Sequence, residues 1–212
     1  MEVAEHETVG GVDGDRGASA TERWVIVGGT FDPVHDGHLQ LARTAVERLG
    51  ATLGVLAVGA SHPHRPPVVL PWHTRVQLVR DAVANEPTLV EASEIGAHRR
   101  GIVLVGRTLR SSHRELHFVF GSDSAARLAR WGGGIELTAL GTVWAVERSA
   151  ASTVLPAGVR PLVLPTLDMS STEVRARCAS GADINGLVPT SIHDQVVDAY
   201  GTTPRHPLAR PA

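Results

Sequence analysis

Residues 27–38 read VGGTFDPVHDGH, and this stretch decides the fold. The apolar residues 24–27 lead into it and predict a short buried strand. Beyond it, apolar residues recur at helical spacing, at Leu39, Ala42, Val46 and Leu49. We therefore expect a helix to begin near Gly37, so that the stretch joins a strand directly to a helix.

A glycine-bearing connection of this kind is typical of an anion-binding site. Backbone N–H groups and the positive end of the helix dipole both point at the ligand there. His35 and His38 are three residues apart, so both side chains can reach one phosphate from the first helical turn. Gly28-Gly29 alone could be a simple turn, and either histidine alone could be structural, but the complete string favours phosphate binding. The G-x-G-x-x-G spacing of dinucleotide-dependent oxidoreductases is absent, which disfavours hydride transfer with NAD.

Strands and helices alternate along the rest of the chain. Further strands are predicted at residues 55–58, 116–120, 142–146 and 162–164. Further helices are predicted at residues 72–85, 122–131, 171–179 and 191–200. This alternation predicts an α/β fold, a Rossmann-like, doubly wound and mostly parallel sheet with helices on both faces. The ligand crevice then lies at the carboxyl ends of the strands, where the 27–38 stretch, a loop at 62–65 and Gly121-Ser122-Asp123 would meet.

The length of 212 residues fits one domain, which we place at residues 22–201. Residues 1–21 lack apolar periodicity and are expected to form a disordered tail, with a flexible tail at 202–212. The net charge is −2 and no basic patch is visible, so no nucleic-acid partner is expected. No membrane-spanning apolar run and no signal-peptide pattern are visible either, so we expect a cytoplasmic protein without a membrane partner.

Two scarce residue types limit the chemistry. Lysine is absent, which excludes a Walker-type phosphate-binding lysine, a Schiff-base lysine and a lysine nucleophile. Any phosphate must be bound by arginine, histidine, hydroxyl groups or backbone amides. Cys178 is the single cysteine, so it cannot form an internal disulfide and is expected to be a packed side chain in a reducing compartment.

The string at residues 28–38, GGTFDPVHDGH, resembles the nucleotide-binding signature of the H-x-G-H nucleotidyltransferase superfamily. Within that superfamily, the motifs are most similar to those of the nicotinate or nicotinamide mononucleotide adenylyltransferases. Four more motifs recur in that family's order, namely HPHR at 62–65, FVFGSDSAARLARW at 118–131, MSSTEVR at 169–175 and LVP at 187–189. The resemblance extends over residues 24–200.

This resemblance implies a nucleotidyltransferase that moves AMP from ATP, its co-substrate, to a phosphate-bearing acceptor. The implied acceptor is nicotinate or nicotinamide mononucleotide, and pyrophosphate is released by direct in-line displacement. Such a step requires positioning and charge neutralisation rather than a protein nucleophile. Mg²⁺ is expected to bind mainly through substrate phosphates and water. Homo-oligomers are common in the family, so one is expected here by analogy only.

The resemblance also implies roles for individual residues. His35 and His38 would donate to the triphosphate, and together with Arg175 they form the implied catalytic set. The implied nucleotide- and phosphate-binding residues are Gly28, Gly29, Thr30, Phe31, Gly121, Asp123, Ser170, Ser171 and Thr172. Taken alone, the serines and the threonine form an ordinary helix cap and Asp123 is a plain N-cap residue. Asp32 could bind substrate or only form the Asp-Pro turn.

The acceptor-binding half of the family pattern is altered in this chain. The implied acceptor-binding residues are Arg65, Thr108 and Trp131, although such an arginine or tryptophan taken alone is often only structural. Family members show a Ser/Thr-Tyr-Thr segment where residues 103–105 read VLV, and Arg-Pro-Gly where residues 148–150 read RSA. The loss of polar contacts to an acceptor ring leaves two alternatives open. One is a transferase that uses ATP or CTP on another phosphate or phosphonate, and the other is a catalytically idle nucleotide-binding regulatory protein.

Overall fold

The computed structural model describes residues 21–60, 67–97, 101–130, 133–146, 154–165 and 168–201. The tails predicted at 1–21 and 202–212 lie outside these ranges, except for Thr21. No helix within these ranges is long and apolar enough to cross a lipid bilayer.

One six-stranded sheet forms the centre of the fold. Its strands are β1 (Glu22–Gly29), β2 (Leu53–Val58), β3 (Leu89–Glu91), β4 (Arg114–Gly121), β5 (Thr142–Val146) and β6 (Val159–Leu162). They lie in the order β3-β2-β1-β4-β5-β6, and each neighbouring pair is parallel. The predicted Rossmann-like parallel sheet is therefore confirmed.

Helices cover both faces of the sheet. They are α1 (Asp36–Arg48), α2 (Trp72–Val83), α3 (Ile102–Leu109), α4 (Ser122–Ala125), α5 (Leu137–Leu140), α6 (Ser171–Ser180) and α7 (His193–Tyr200). Short 3-10 turns occur at Ala92–Ile95, Leu128–Arg130 and Thr190–Ile192. Apolar residues of α1, α2, α6 and α7 share one core cluster with Val25 and Val27 of β1, whereas those of α3, α4 and α5 share the other with Ile26. Because successive strand residues point to opposite faces, β1 lies between two cores.

The helix predicted at residues 122–131 is wrong. One turn of α4 and a separate 3-10 turn at Leu128–Arg130 take its place. Ala125 of α4 and Leu128 of the 3-10 turn are both buried and lie three residues apart, on either side of the break between the two elements. Apolar periodicity alone does not separate that geometry from a continuous helix.

The last strand lies earlier than predicted. We expected it at residues 162–164, whereas β6 is Val159–Leu162. Pro161 lies within β6, and a proline, having no N–H group, is tolerated in a strand at the edge of a sheet. β6 is such an edge strand. The remaining predicted elements are present, with ends within two residues of the predicted positions, while β3, α3 and α5 have no counterpart in the prediction.

The strand order places the ligand crevice. The order reverses between β1 and β4, and ligands of doubly wound sheets bind outside the carboxyl ends of the strands at this point. β1 ends at Gly29 and β4 ends at Gly121. The 27–38 stretch and residues 121–123 therefore open onto the same crevice.

Gly141, which immediately precedes β5, has no room for a side chain. A Cβ atom there would overlap the carbonyl oxygen of Leu116 in β4. We expect Gly141→Ala to lower the free energy of unfolding by about 3 kcal/mol, because the strands must separate to admit the methyl group.

Gly181 provides the matched control for this substitution. Its φ is +71°, and nothing lies within 4 Å of an added Cβ. Gly181→Ala should cost about 1 kcal/mol, from the backbone conformation alone. Urea unfolding of the parent protein and both variants measures the difference, and equal losses in the two variants would contradict the packing argument.

Candidate active site

Residues 28–35 comprise the last two residues of β1 and the connection to α1, called loop 28–35 below, and this segment is closely packed at Gly28 and Gly29. A Cβ on Gly28 would lie 2.9 Å from Cδ1 of Ile102, and one on Gly29 would lie 3.1 Å from the ring of Phe31. The absence of side chains at both positions lets the backbone approach α3 and the Phe31 ring. A side chain at either position would have to displace Ile102 or Phe31, so packing favours glycine here in addition to any requirement of a ligand.

Phe31 adopts a backbone conformation that is rare for a residue other than glycine, with φ of +48°. Its side chain is fully buried, and its ring meets that of His38 edge-on at a centroid distance of 4.9 Å. A residue in such a conformation costs about 1–3 kcal/mol and persists only where its surroundings impose it. Loop 28–35 is therefore held in shape by its contacts.

His35 and His38 lie together at the start of α1. His35 is the N-cap residue, and its backbone N–H donates to Nδ1 of His38 at 3.2 Å. The two imidazole rings stack with their centroids 3.6 Å apart. Because Nδ1 of His38 accepts a hydrogen bond, the neutral ring carries its proton on Nε2. Nε2 is thus the nitrogen that can donate to an anion.

The first turn of α6 docks onto loop 28–35. Ser170 is the N-cap residue of α6, and its Oγ accepts from the backbone N–H of Glu173 at 3.1 Å, which is an ordinary capping contact. Ser171 differs, because its Oγ donates to the carbonyl oxygen of Pro33 at 2.9 Å, across 138 residues of chain. The hydroxyl groups of this segment therefore do more than cap the helix.

Arg175 makes a second link between α6 and the loop. Its Nη1 donates to the carbonyl oxygen of Asp32 at 2.6 Å, and its Nη2 donates to Oγ1 of Thr172 at 3.3 Å. The structure thus brings Ser171, Thr172 and Arg175 beside the loop that carries the histidine pair. A guanidinium in this position adds a planar set of donors to the hydroxyl groups and backbone amides.

The carboxylate of Asp32 is committed to the protein's own structure. It is buried and accepts from the backbone N–H groups of Val69 at 2.7 Å and Leu70 at 3.1 Å. Its Oδ1 also accepts from the hydroxyl of Tyr200 at 2.7 Å. Burial and this hydrogen bond raise the pKa of Tyr200, so the phenol stays protonated and donates. Of the two interpretations of Asp32, the structural one therefore holds.

Arg75, a residue of α2 that sequence reasoning missed, is fully buried next to the loop. Its guanidinium donates to four backbone carbonyl oxygens, those of Thr30, Gly59, Ala60 and Leu70. Two of these groups directly follow β1 and β2, so one side chain joins the ends of neighbouring strands. The sequence did contain a signal for a buried arginine. Arg75 is four residues before Val79 and so lies on the apolar face of a predicted helix.

Gly121 and Asp123 lie at the carboxyl end of β4. Gly121 occupies the N-cap position of α4, and Asp123 follows in the first helical turn with an exposed side chain. The N-cap interpretation of Asp123 is therefore wrong. An exposed carboxylate at this edge of the sheet is suited to accept hydrogen bonds from a ribose diol, which stays a prediction from the resemblance.

Two of the three implied acceptor-binding residues, Arg65 and Trp131, lie outside the described residues. The same is true of His62 and His64 in the loop that carries Arg65. Their acceptor-binding roles therefore stay predictions from the resemblance.

The hydroxyl of Thr108 makes its hydrogen bond within α3 and not with loop 28–35. Thr108 is exposed near the end of α3, and its hydroxyl donates to the carbonyl oxygen of Leu104 at 3.0 Å. The contact between α3 and loop 28–35 is made instead at the start of the helix, by Ile102 against Gly28. The position of Thr108 thus adds nothing to the acceptor role that the resemblance implies.

In the part of the chain that the structure describes, no group of three or more His, Cys, Asp or Glu side chains could hold a metal ion. The carboxylate of Asp32, in the loop itself, already accepts three hydrogen bonds. That Mg²⁺ binds mainly through substrate phosphates and water stays a prediction from the resemblance.

We expect Arg175 to be the main anion-binding side chain of α6. Arg175→Gln should weaken the binding of inorganic pyrophosphate at least about tenfold, because a charge-assisted hydrogen bond to a phosphate oxygen is lost. Arg177→Gln is the matched control, since Arg177 is exposed and pairs with Glu173 on the same helix. Calorimetric titration measures both affinities, and an equal loss in the two variants would contradict the assignment.

Comparison with known proteins places this site in a family. Residues 26–177 match a family model described as cytidylyltransferase-like. Two relatives carry the name "probable nicotinate-nucleotide adenylyltransferase". That of Thermus thermophilus is 34% identical over 173 residues, a match that covers 79% of this chain and 92% of the relative. That of Marinobacter nauticus is 32% identical over 213 residues, a match that covers 87% of this chain and 98% of the relative.

A solved structure of Plasmodium falciparum nicotinic acid mononucleotide adenylyltransferase, complexed with NaAD, shares the fold. The TM-score is 0.60 at 16% identity, over 84% of this chain and 94% of that chain. This likeness shows the fold, and the sequence relatives show the family. The chain therefore belongs to the cytidylyltransferase-like family, in its group of nicotinate-nucleotide adenylyltransferases.

Proposed function

We propose that this protein transfers AMP from ATP to nicotinate mononucleotide, or to nicotinamide mononucleotide, and releases pyrophosphate. One observation carries the proposal. Two segments with phosphate-binding chemistry, loop 28–35 and the first turn of α6, are joined by the hydrogen bonds from Ser171 to Pro33 and from Arg175 to Asp32. The names of the sequence relatives support this choice of reaction and acceptor.

The donors of the two segments suit a triphosphate. Loop 28–35 would offer backbone amides around Gly29, Thr30 and Phe31 and the histidine pair, and α6 would offer hydroxyl groups and a guanidinium. A chain of three phosphates can contact both segments at once. Mg²⁺ would arrive with ATP and neutralise part of the phosphate charge, held by phosphate oxygens and water rather than by the described side chains.

His38 has the role closest to the reacting atoms in this proposal. Its Nε2 would donate to an oxygen of the α-phosphate as negative charge develops there. The stacked ring of His35 and the edge-on ring of Phe31 hold the imidazole in place before substrate arrives. A donor that is already oriented stabilises the transition state without reorganisation. Arg175 would bind the leaving pyrophosphate.

The transfer needs no covalent intermediate. A phosphate oxygen of the acceptor attacks the α-phosphorus, the bond to the β-phosphate breaks, and pyrophosphate leaves with the electron pair. The protein contributes alignment and charge neutralisation. Cys178 is buried in the core, and burial raises the pKa of its thiol, so it is unsuited to act as a nucleophile.

The adenosine of ATP and the acceptor would each be bound by residues outside loop 28–35 and α6. Gly121 and Asp123 would bind the adenosine half at the carboxyl end of β4. Arg65, Thr108 and Trp131 would bind the acceptor, as the resemblance implies.

A different phosphorylated acceptor is the second candidate, and the first turn of α3 favours it. Ile102, Val103 and Leu104 form that turn with aliphatic side chains only, and Ile102 contacts Gly28 of the loop. A pocket that offers few hydrogen bonds to a ring discriminates weakly between polar ring substituents. The identity of the acceptor therefore has to be measured.

Pyrophosphate release tests both candidates. The protein is incubated with Mg²⁺ and either ATP or CTP, together with nicotinate mononucleotide, nicotinamide mononucleotide or other phosphorylated acceptors. Turnover of ATP with a pyridine mononucleotide supports the proposal. Turnover of CTP alone, or only with another acceptor, supports the second candidate. ATP binding without turnover of any acceptor would point instead to a regulatory nucleotide-binding protein.

We expect His38→Ala to lower kcat by about 10²–10³, because one preorganised donor to a developing charge is lost. His113→Ala is the control. His113 is exposed and precedes the amino end of β4, whereas the crevice lies at the carboxyl ends of the strands. This variant should turn over like the parent protein. Steady-state pyrophosphate release compares them, and near-normal turnover of His38→Ala would refute its role.

A further inference from the structure

We infer that Tyr200, the last residue of α7, is a positioning residue for nucleotidyl transfer and acts through Asp32 on loop 28–35. The inference rests on the proposed function, which names the reaction that the loop serves. Tyr200 is 168 residues from Asp32 in the chain, and no motif of the loop indicates that the C-terminal helix takes part.

The contact between the two residues is buried and directional. Tyr200 is 8% exposed and Asp32 is 4% exposed, and the phenol hydroxyl donates to Oδ1 at 2.7 Å. The charged groups that face this contact are Asp32 itself, Arg175 and Arg75. Because burial raises the pKa of Tyr200, the phenol remains a donor over the working range of the protein.

Asp32 links the hydroxyl of Tyr200 to the proposed catalytic side chains Arg175 and His38. Its carbonyl oxygen accepts from Nη1 of Arg175 at 2.6 Å, so a movement of Asp32 moves the partner of that guanidinium. Its neighbour Phe31, held at φ of +48°, contacts the ring of His38. A shift of Asp32 therefore displaces two of the proposed donors, the guanidinium of Arg175 and the imidazole of His38.

Two backbone N–H groups also bind the Asp32 carboxylate, one on each oxygen. The N–H groups of Val69 and Leu70 bind it from the segment before α2, and Arg75 fixes the carbonyl oxygen of Leu70 in turn. Tyr200 is the contact from the opposite end of the chain. Its loss would leave the loop folded but free to relax towards a less strained backbone at Phe31.

Steady-state kinetics of Tyr200→Phe test the inference, since this change removes only the hydroxyl. We expect kcat to fall about tenfold while KM for ATP and for the acceptor stays within about twofold, because a small misplacement affects the transition state more than the bound ground state. An unchanged kcat, or a change confined to KM, would overturn the inference.

Val196→Ala is the matched control for a purely structural role. Val196 is fully buried in the core one helical turn before Tyr200, and its aliphatic side chain has no group that could donate to Asp32. This variant should be less stable than Tyr200→Phe, with kcat unchanged at a temperature where both are folded. If kcat falls equally in the two variants, α7 contributes stability alone and the inference is wrong.

Hydrogen exchange of the backbone amides separates this inference from the proposed function. In Tyr200→Phe, amides of residues 28–35 should exchange at least fivefold faster than in the parent protein, whereas those of Val196→Ala should not. If the parent protein turns over no acceptor, the proposed function fails, yet the exchange rates still decide whether Tyr200 holds the loop. Equal exchange in all three proteins would overturn the inference.

Discussion

The buried guanidinium of Arg75 is the interaction on which the rest of the site depends. Removing an arginine from water is costly unless its charge and its donors are satisfied. Here three carbonyl oxygens just after β1 and β2 and that of Leu70 before α2 accept from it, and Asp32 provides a nearby negative charge. The carbonyl oxygen of Thr30 accepts from Arg75. It is therefore not free to repel a phosphate at the proposed site.

Asp32 connects loop 28–35 to three other parts of the chain. Its carboxylate ties loop 28–35 to residues 69–70 and to Tyr200, while its carbonyl oxygen accepts from Arg175. The negative charge of Asp32 lies near the guanidinium of Arg75, so the two buried charges compensate each other. The contacts that hold the loop in a strained conformation are thus the same contacts that orient the donors proposed to bind a phosphate.

Much of the fold could be predicted because its information is local. The strand and the helix that flank residues 27–38 follow from apolar periodicity and glycine positions, which neighbouring residues determine. The roles of Arg75 and Asp32 could not be predicted in this way, since Asp32 binds Tyr200 across 168 residues of chain. The position of β6 could not be predicted locally either. Its Pro161 is tolerated only because this strand lies at the edge of the sheet, which the whole topology determines.

The central claim is that the site transfers a nucleotide by positioning and charge neutralisation, without a covalent intermediate. The stereochemistry at phosphorus tests it most directly. The protein is given nicotinate mononucleotide and a single diastereomer of ATP with sulfur on the α-phosphorus, and the configuration of the dinucleotide product is determined by ³¹P NMR. One in-line displacement predicts inversion at phosphorus. Retention would require two displacements and would contradict the account.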